Sequence, residues 1–266
     1  MSEKRHAVHN GRIIDEKDAV LPITLREVQS SFSVYEALRV IEGHVVHLGD
    51  HVRRLEESAA VIHLPLSKVD WQKEIDALIE KDHIVDATMR ILVVGTKEPL
   101  WFITWSTLLT YPDSYYREGV DVTTYKGERF LPLCKTGNLL LNYLSREEAS
   151  RQGAFEALLV DDEGLIREGS RSNFYIIKGN VLTTAPDDTV LDGVTRISVL
   201  RAARELGYSI EYRRPEKSEI FSADSSFISS TSMGAMPIKA VDGERCPMDR
   251  DKVAAICALV RKWERE

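Results

Sequence analysis

Four glycine-containing turns, each between two apolar runs, constrain the fold of this 266-residue chain more than any other feature. They are Asn10-Gly11, Glu42-Gly43, Glu163-Gly164 and Gly179-Asn180. Turns of this kind between apolar segments are typical of β-hairpins, because glycine and asparagine accept the positive φ that tight turns require. Two of the hairpins lie in the first fifth of the chain and two lie beyond its middle. The pattern therefore predicts two α/β halves, joined near residue 115.

Amphipathic helices follow each pair of hairpins. Residues 49–64 have apolar side chains at helical spacing, and we expect Asp50 to be the N-cap. A second helix is predicted to begin at Ser67, with Asp70 three residues later in a near capping box.

The second half contains two further helices with clear signals. In residues 192–207 the predicted buried face holds Ile197, Leu200, Ala203 and Leu206, and Gly207 is the predicted stop. Residues 249–264 close the chain as a helix, with buried side chains predicted at Val253, Ile256, Val260 and Trp263.

These elements predict the fold class α/β (α+β) with two domains. Residues 1–114 are predicted to form a small N-terminal α/β domain, residues 115–130 a linker and entry strand, and residues 131–266 a larger C-terminal α/β domain.

Hydrophobic residues make up 43% of the chain and charged residues 29%, as in soluble enzymes. The net charge of −7 argues against a nucleic-acid partner, and no apolar run reaches the ~20 residues of a membrane span. Three cysteines without metal-like spacing favour a reducing, cytoplasmic location.

One lysine stands out chemically. Lys135 lies in RFLPLCKTGNLLLNYL among bulky neighbours that include Phe130, Leu133 and Leu140. A desolvated ammonium loses its proton easily, and the neutral amine is the nucleophile of a Schiff-base enzyme. The alternative is a solvated lysine at a strand edge. Glu168 in REGSRSN could hold a ring nitrogen protonated, which together with the lysine matches the needs of pyridoxal phosphate (PLP).

Three further segments contain groups that could bind the phosphate of such a cofactor. Arg54 offers a guanidinium fork, although an isolated arginine in a helix is usually exposed. The backbone N–H groups of Val194 and Thr195 begin a helix and could face an anion, or simply form a capping turn. Thr231 and Ser232 in SSTSMG could add hydroxyl donors, or form a serine-rich turn.

The segments HVRRL, LCKTGNLLLNYLSREEA, REGSRSNFYIIKGNVLTT, LDGVTR and SSTSMGAMPI occur in this order between about Val34 and Pro237. Together they resemble the class IV PLP-dependent aminotransferases. That family includes branched-chain aminotransferases, D-amino-acid aminotransferases and 4-amino-4-deoxychorismate lyase. The resemblance implies the two-domain fold type IV of PLP enzymes, with the cofactor between the domains, and a homodimer whose pockets the partner subunit completes.

The resemblance also implies roles for individual residues. Lys135 resembles the Schiff-base lysine that moves the proton between Cα and the cofactor, and Glu168 resembles the carboxylate on the pyridine nitrogen. Tyr35 matches the aromatic residue that lines the substrate pocket. The implied phosphate-binding groups are those named above: Arg54, Val194, Thr195, Thr231 and Ser232.

The chain also departs from the family pattern. QSSFSVYE replaces the usual glycine-rich turn, and VVGTKEPLWF lacks the Arg-x-His carboxylate clamp of D-amino-acid aminotransferases. Leu140 replaces a tyrosine that bonds the cofactor's ring hydroxyl in some branched-chain members, and Tyr143 is a possible substitute. Arg39 alternates onto the same strand face as Tyr35 and Ala37, where it could bind a substrate carboxylate or form a structural ion pair.

The leading hypothesis is a cytoplasmic, homodimeric aminotransferase that moves an amino group between an amino acid and a 2-oxo acid. The branched-chain and D-amino-acid types both stay open. One alternative is a PLP-dependent lyase of the aminodeoxychorismate type, and another is a non-catalytic PLP-binding relative. His44, His47 and His51 straddle two elements and lack a second ligand cluster, so no metal site is predicted.

Overall fold

The computed structural model describes residues 5–265 and divides them into two compact units. The first unit comprises residues 5–109 and the short segment Cys134–Asn138. The second comprises Thr110–Leu133 and the chain from Leu139 onward. The division thus falls at residue 109, and the segment around Lys135 packs with the N-terminal unit. The predicted domain ranges themselves stay a prediction.

The first unit contains one antiparallel sheet with helices packed on it. Its strand order is β2-β1-β6-β5-β3-β4. The strands are β1 (His6–His9), β2 (Arg12–Asp15), β3 (Ser33–Ile41), β4 (His44–Val45), β5 (Ala87–Val94) and β6 (Leu100–Thr107). The helices are α1 (Arg26–Gln29), α2 (Leu48–Val61) and α3 (Trp71–Asp82). Alternate side chains of β3 and β5 form the core with the apolar faces of α2 and α3.

Both hairpins predicted in this unit are confirmed. Asn10 and Gly11 have φ of 47° and 78°, and Glu42 and Gly43 have φ of 51° and 79°. Two consecutive positive φ values match the right-handed twist of the paired strands, which explains why a glycine follows in each turn.

Two helix starts differ from the prediction. Helix α2 begins at Leu48 after His47, so Asp50 is a first-turn residue and its assignment as N-cap was wrong. Helix α3 begins at Trp71 and not at Ser67, because Asp70 is itself the N-cap. Its carboxylate accepts a hydrogen bond from the backbone N–H of Lys73 at 3.1 Å, which satisfies a donor that the helix leaves unpaired.

The second unit contains a nine-stranded mixed sheet. Eight strands follow the order β12-β11-β10-β13-β14-β7-β8-β9, and β15 pairs with β14. They are β7 (Val120–Lys126), β8 (Glu156–Val160), β9 (Ile166–Gly169), β10 (Asn173–Lys178), β11 (Val181–Thr184), β12 (Ser209–Tyr212), β13 (Ser225–Ser230), β14 (Gly234–Val241) and β15 (Glu244–Arg245). Strand β9 also pairs with β10, which sets Glu168 opposite Asn173.

Five helices complete this unit: α4 (Asp113–Glu118), α5 (Leu140–Arg151), α6 (Val194–Glu205), α7 (Lys217–Ile220) and α8 (Arg250–Trp263). The buried face predicted for α8 is confirmed. On the predicted face of α6, Leu200 and Ala203 are buried, Ile197 is half-buried and Leu206 is 42% exposed. It follows the last helical turn, and Gly207 with φ of 84° then ends the helix. No helix within residues 5–265 is both long enough and apolar enough to span a bilayer.

Candidate functional site

Lys135 is held against strand β3 by its backbone. Its carbonyl oxygen accepts a hydrogen bond from the N–H of Tyr35 at 3.0 Å, and its own N–H donates to Oγ of Ser58 at 3.0 Å. The next residue, Thr136, forms an antiparallel bridge with Val34. The lysine is therefore aligned with Tyr35 across a short strand-like pairing, so the two side chains stand on the same face of the sheet.

The side chain of Lys135 contacts an aromatic ring. Its Nζ lies 4.6 Å from the ring centroid of Tyr35, within cation–π distance. The side chain is half-buried. Its apolar neighbours in the sequence, Phe130, Leu133 and Leu140, are 75%, 48% and 65% exposed. Desolvation of the ammonium by these side chains stays a prediction.

A second cation contacts the same ring. The guanidinium carbon of Arg90 lies 4.4 Å from the Tyr35 centroid. Arg90 stands on β5 opposite Ala37, whereas Lys135 pairs with β3 on the strand's other edge. The tyrosine ring therefore stands between the two cations. Arg90 is exposed, and no carboxylate within residues 5–265 pairs with it.

Arg54, predicted to bind phosphate, is engaged by a buried glutamate. Its Nε and Nη2 donate to Oε1 and Oε2 of Glu36 at 2.8 and 2.6 Å, and Nδ1 of His51 lies 2.7 Å from Oε2. Glu36 is fully buried, and Arg54 is 5% exposed. One turn of α2 separates His51 from Arg54, so both reach the core face of β3. The guanidinium is thus fixed in orientation by a bidentate ion pair.

The pKa values of this cluster follow from burial and hydrogen bonding. Burial by itself would raise the pKa of Glu36, but the hydrogen bonds from Arg54 and His51 outweigh it and lower the pKa to about 2. For His51 burial dominates and lowers the pKa of the imidazole below its usual value of 6.5. Glu36 is accordingly a buried anion at neutral pH, balanced by Arg54.

Glu168 is also paired with an arginine. It is 5% exposed at the end of β9, and its Oε1 accepts a hydrogen bond from Nε of Arg129 at 2.7 Å. Arg129 in turn donates to the carbonyl oxygen of Pro132, three residues before Lys135 in the sequence. Arg129 therefore connects the glutamate to the backbone of Pro132, within the second unit.

Within the described residues, no side-chain cap bonds the first backbone N–H groups of α6. Its N-cap is Gly193, which has no side chain to cap the N–H groups of Val194 and Thr195. A Cβ atom on Gly193 would lie 2.3 Å from Oδ1 of Asn173, so glycine is required there by a close approach. With twelve residues behind it, the helix dipole adds a favourable field for an anion at this end.

Thr231 and Ser232 lie in the turn between β13 and β14, as predicted for a strand end. Oγ of Ser232 lies 3.3 Å from Oγ of Ser230. Thr231 is half-buried, and its hydroxyl forms no hydrogen bond with the described residues. This turn supplies hydroxyl groups of the type that bind phosphate oxygens.

Two other predicted positions are less informative. Arg39 is 9% exposed on the strand face that it shares with Tyr35, and its role toward a substrate stays a prediction. Tyr143, suggested as a replacement for the missing tyrosine at Leu140, is 62% exposed on α5. Its suggested role toward a ring hydroxyl therefore also stays a prediction.

The family model described as Amino-transferase class IV matches residues 33–241. The chain belongs to the class IV aminotransferases. This aminotransferase is 32% identical to the D-alanine aminotransferase of Bacillus licheniformis over 249 residues, 88% of each chain. It is 27% identical to the branched-chain-amino-acid aminotransferase of Escherichia coli K12 over 259 residues, which cover 88% of this chain and 84% of the relative.

Solved structures agree with this family. A fold IV transaminase from Curtobacterium pusillum is 26% identical with a TM-score of 0.81, covering 94% of this aminotransferase and 93% of the other chain. The E. coli branched-chain enzyme, at 24% identity, shows the fold alone, with a TM-score of 0.85 and coverage of 95% and 93%. The predicted fold class, the PLP cofactor and the aminotransferase activity are confirmed, and the lyase and the non-catalytic relative are not favoured.

Sequence reasoning did not identify several partners of the site residues. Glu36 could have been found, because strand alternation sets it between Val34 and Leu38 on the apolar face, where a carboxylate needs a partner. The spacing of His51 and Arg54 on one helix face points to the same cluster. Arg90 and Arg129 carry no comparable local signal in this aminotransferase.

Proposed function

We propose that Lys135 is the residue of this aminotransferase that attaches the cofactor and moves the proton at the substrate Cα. Amino groups then pass between an amino acid and a 2-oxo acid. When bound, PLP supplies an electron sink for the bond broken at Cα. The observation that supports the assignment is the position of Nζ beside Tyr35. The backbone N–H and carbonyl oxygen of the lysine are both hydrogen-bonded, which fixes this position.

Groups for the ring nitrogen and for the phosphate of the cofactor are proposed from the predicted residues. Glu168, a buried carboxylate fixed by Arg129, is proposed to bond the pyridine nitrogen. The phosphate is proposed to bind the uncapped N–H groups of Val194 and Thr195 and the hydroxyls of Thr231 and Ser232. Arg54 would contribute a guanidinium held in orientation by Glu36.

Tyr35 and Arg90 are proposed to contact the substrate. The Cα of the substrate must come close to Lys135 for proton transfer, and Arg90 approaches the same tyrosine ring. A guanidinium without a carboxylate partner among the described residues is suited to a substrate carboxylate. This arrangement would replace the Arg-x-His clamp that the chain lacks.

A homodimer is proposed on the basis of exposed apolar side chains in the second unit. On α5, three of them share one face by their spacing, and two more precede the lysine segment. They are Leu140, Tyr143, Leu144, Phe130 and Leu133. The mass in solution, measured by light scattering, is expected to be twice that of the chain.

All three cysteines are unbridged, which supports a reducing, cytoplasmic location.

The assignment of Lys135 is tested with Lys135→Ala and with Lys97→Ala, an exposed lysine of the same unit, as the control. The Lys135 variant is expected to lose both the visible absorbance band of lysine-bound PLP and transamination of a panel of L- and D-amino acids. The control is expected to retain both. A Lys135 variant with an unchanged band and full turnover would exclude the assignment.

Arg90 is tested with Arg90→Gln. Loss of a charge-assisted hydrogen bond is expected to raise KM for the amino acid about tenfold or more, with a smaller change in kcat. The Lys97→Gln variant removes an exposed charge of the same unit and is expected to leave KM unchanged. An unchanged KM for Arg90→Gln would show that the carboxylate binds elsewhere.

A further inference from the structure

Side chains of two helices donate hydrogen bonds to the backbone carbonyl groups of the turn Ser230–Gly234. Nη2 of Arg261, on α8, donates to the carbonyl oxygen of Ser232 at 3.1 Å. The hydroxyl of Tyr116, on α4, donates to the carbonyl oxygen of Met233 at 3.0 Å. Two successive carbonyl groups of the turn are therefore fixed by residues far away in the sequence.

A third side chain reaches the hydroxyl of the turn. The hydroxyl of Tyr111 lies 3.2 Å from Oγ of Ser232, which also lies 3.3 Å from Oγ of Ser230. A hydroxyl group has one proton and two lone pairs, so Ser232 can bond both neighbours at once. Tyr111 therefore limits the rotamers open to Ser232.

The contacts to the carbonyl groups also orient backbone donors. Because a peptide unit is planar, a fixed carbonyl of Ser232 fixes the N–H of Met233, which donates to the carbonyl oxygen of Ser230 at 3.1 Å and closes the turn. A fixed carbonyl of Met233 likewise fixes the N–H of Gly234. Gly234 has φ of 66°, and a Cβ there would lie 3.0 Å from Nε of Arg261. The close approach of α8 to the turn thus depends on glycine at this position.

Arg261 acts through geometry more than through charge. Its Nη1 donates to both carboxylate oxygens of Glu264 at 2.6 and 2.9 Å, an i,i+3 ion pair within the last turn of the chain's final helix. Much of its positive charge is therefore balanced locally, and an N–H of Nη2 is directed at the carbonyl oxygen of Ser232.

We propose that Tyr111 and Arg261 are positioning residues that hold the Ser230–Gly234 turn in the conformation that binds the cofactor phosphate. The inference rests on the proposed function of Thr231 and Ser232. Through Arg261, the C-terminal helix contributes to retention of the cofactor without touching it.

The test compares binding of PLP with binding of pyridoxal, which lacks the phosphate, by the apoenzyme. Tyr111→Phe removes one hydroxyl and is expected to raise the PLP dissociation constant about three- to tenfold, as for one neutral hydrogen bond. Arg261→Met removes a charged donor and is expected to raise it about tenfold or more. Neither variant is expected to change the affinity for pyridoxal.

Two controls match these variants. Tyr115→Phe alters a neighbouring tyrosine whose hydroxyl has no hydrogen bond within the described residues. Arg151→Met breaks the i,i+3 pair with Glu148, which lies on a helix but does not reach the turn. Both controls are expected to keep the wild-type PLP affinity, and Arg151→Met reports the effect of losing such an ion pair alone.

Different failures have different signatures. If Thr231→Ala and Ser232→Ala weaken PLP but Tyr111→Phe and Arg261→Met do not, the positioning role is wrong while the phosphate site stands. If the Tyr111 and Arg261 variants weaken PLP and pyridoxal equally, they act on the fold in general and the inference is overturned. If Thr231→Ala and Ser232→Ala leave PLP affinity unchanged, the turn is not the phosphate site, and both assignments fall.

Discussion

The buried cluster around Glu36 makes a sharp prediction about stability. Glu36→Gln removes a fully buried carboxylate that accepts hydrogen bonds from Arg54 at 2.8 and 2.6 Å. The substitution keeps the shape of the side chain but leaves the Arg54 guanidinium without its counter-charge. Removing one partner of a buried ion pair costs about 3–5 kcal/mol, because the remaining charge is still desolvated. We expect the free energy of unfolding to fall by about that amount.

The same change has a thermal signature. For a chain of this size, about 1 kcal/mol corresponds to roughly 2–4 °C in Tm, so a decrease of at least roughly 6 °C is expected. The matched control is Glu57→Gln on α2, because Glu57 forms an exposed i,i+4 pair with Arg53. Exposed helix pairs of this kind are worth about 0.3–0.5 kcal/mol, so the control should barely change Tm.

The assay is equilibrium urea unfolding of the apoenzyme at pH 7, followed by circular dichroism, with wild type and both variants at one concentration. Apoenzyme is used so that altered PLP binding does not contribute to stability. A loss below about 1 kcal/mol for Glu36→Gln, or equal losses for both variants, would refute the idea that this carboxylate balances a buried cation.

Three further outcomes are expected. Asp70→Ala removes the N-cap of α3 and should lower the free energy of unfolding by about 1 kcal/mol. An unchanged urea midpoint would contradict the capping role. Burial would raise the pKa of Asp242, but its hydrogen bonds lower it to about 2. Its folded pKa thus lies below the unfolded value, so its contribution to the free energy of unfolding is present above about pH 4 and is lost as the pH falls toward 2. Asp242→Asn should flatten this part of the curve of stability against pH. Gly193→Ala would bring a Cβ to 2.3 Å from Oδ1 of Asn173 and should lower both Tm and PLP affinity, whereas Gly49→Ala, with open space around it, should lower neither.

The strands, hairpins and most helices of this aminotransferase could be predicted from the sequence. The turn at Asn10-Gly11 depends on φ values that few residues adopt, and the helix of residues 250–263 depends on apolar spacing within one segment. These signals act over a few residues. Where two local signals compete, the prediction is less accurate, as for the start of α3, where Asp70 rather than Ser67 is the cap.

The family could also be recognised from ordered motifs, since each motif is a short run of residues. The order of five such runs is far more specific than any single one. Recognition does not describe the environment of each residue, however. The motif containing Lys135 did not show that the lysine side chain lies against the ring of Tyr35, a residue 100 positions earlier in the chain.

The sequence by itself determined the local elements, the order of the motifs and the identity of the reactive lysine candidate. Only the tertiary structure decided which distant charges are paired, namely Glu36 with Arg54 and Glu168 with Arg129, and that Arg261 donates a hydrogen bond to the carbonyl oxygen of Ser232. The physical reason is the sequence separation over which each interaction acts. Turn and helix preferences act between near neighbours in the chain, whereas an ion pair depends on which distant segments the packing of the core brings within about 3 Å.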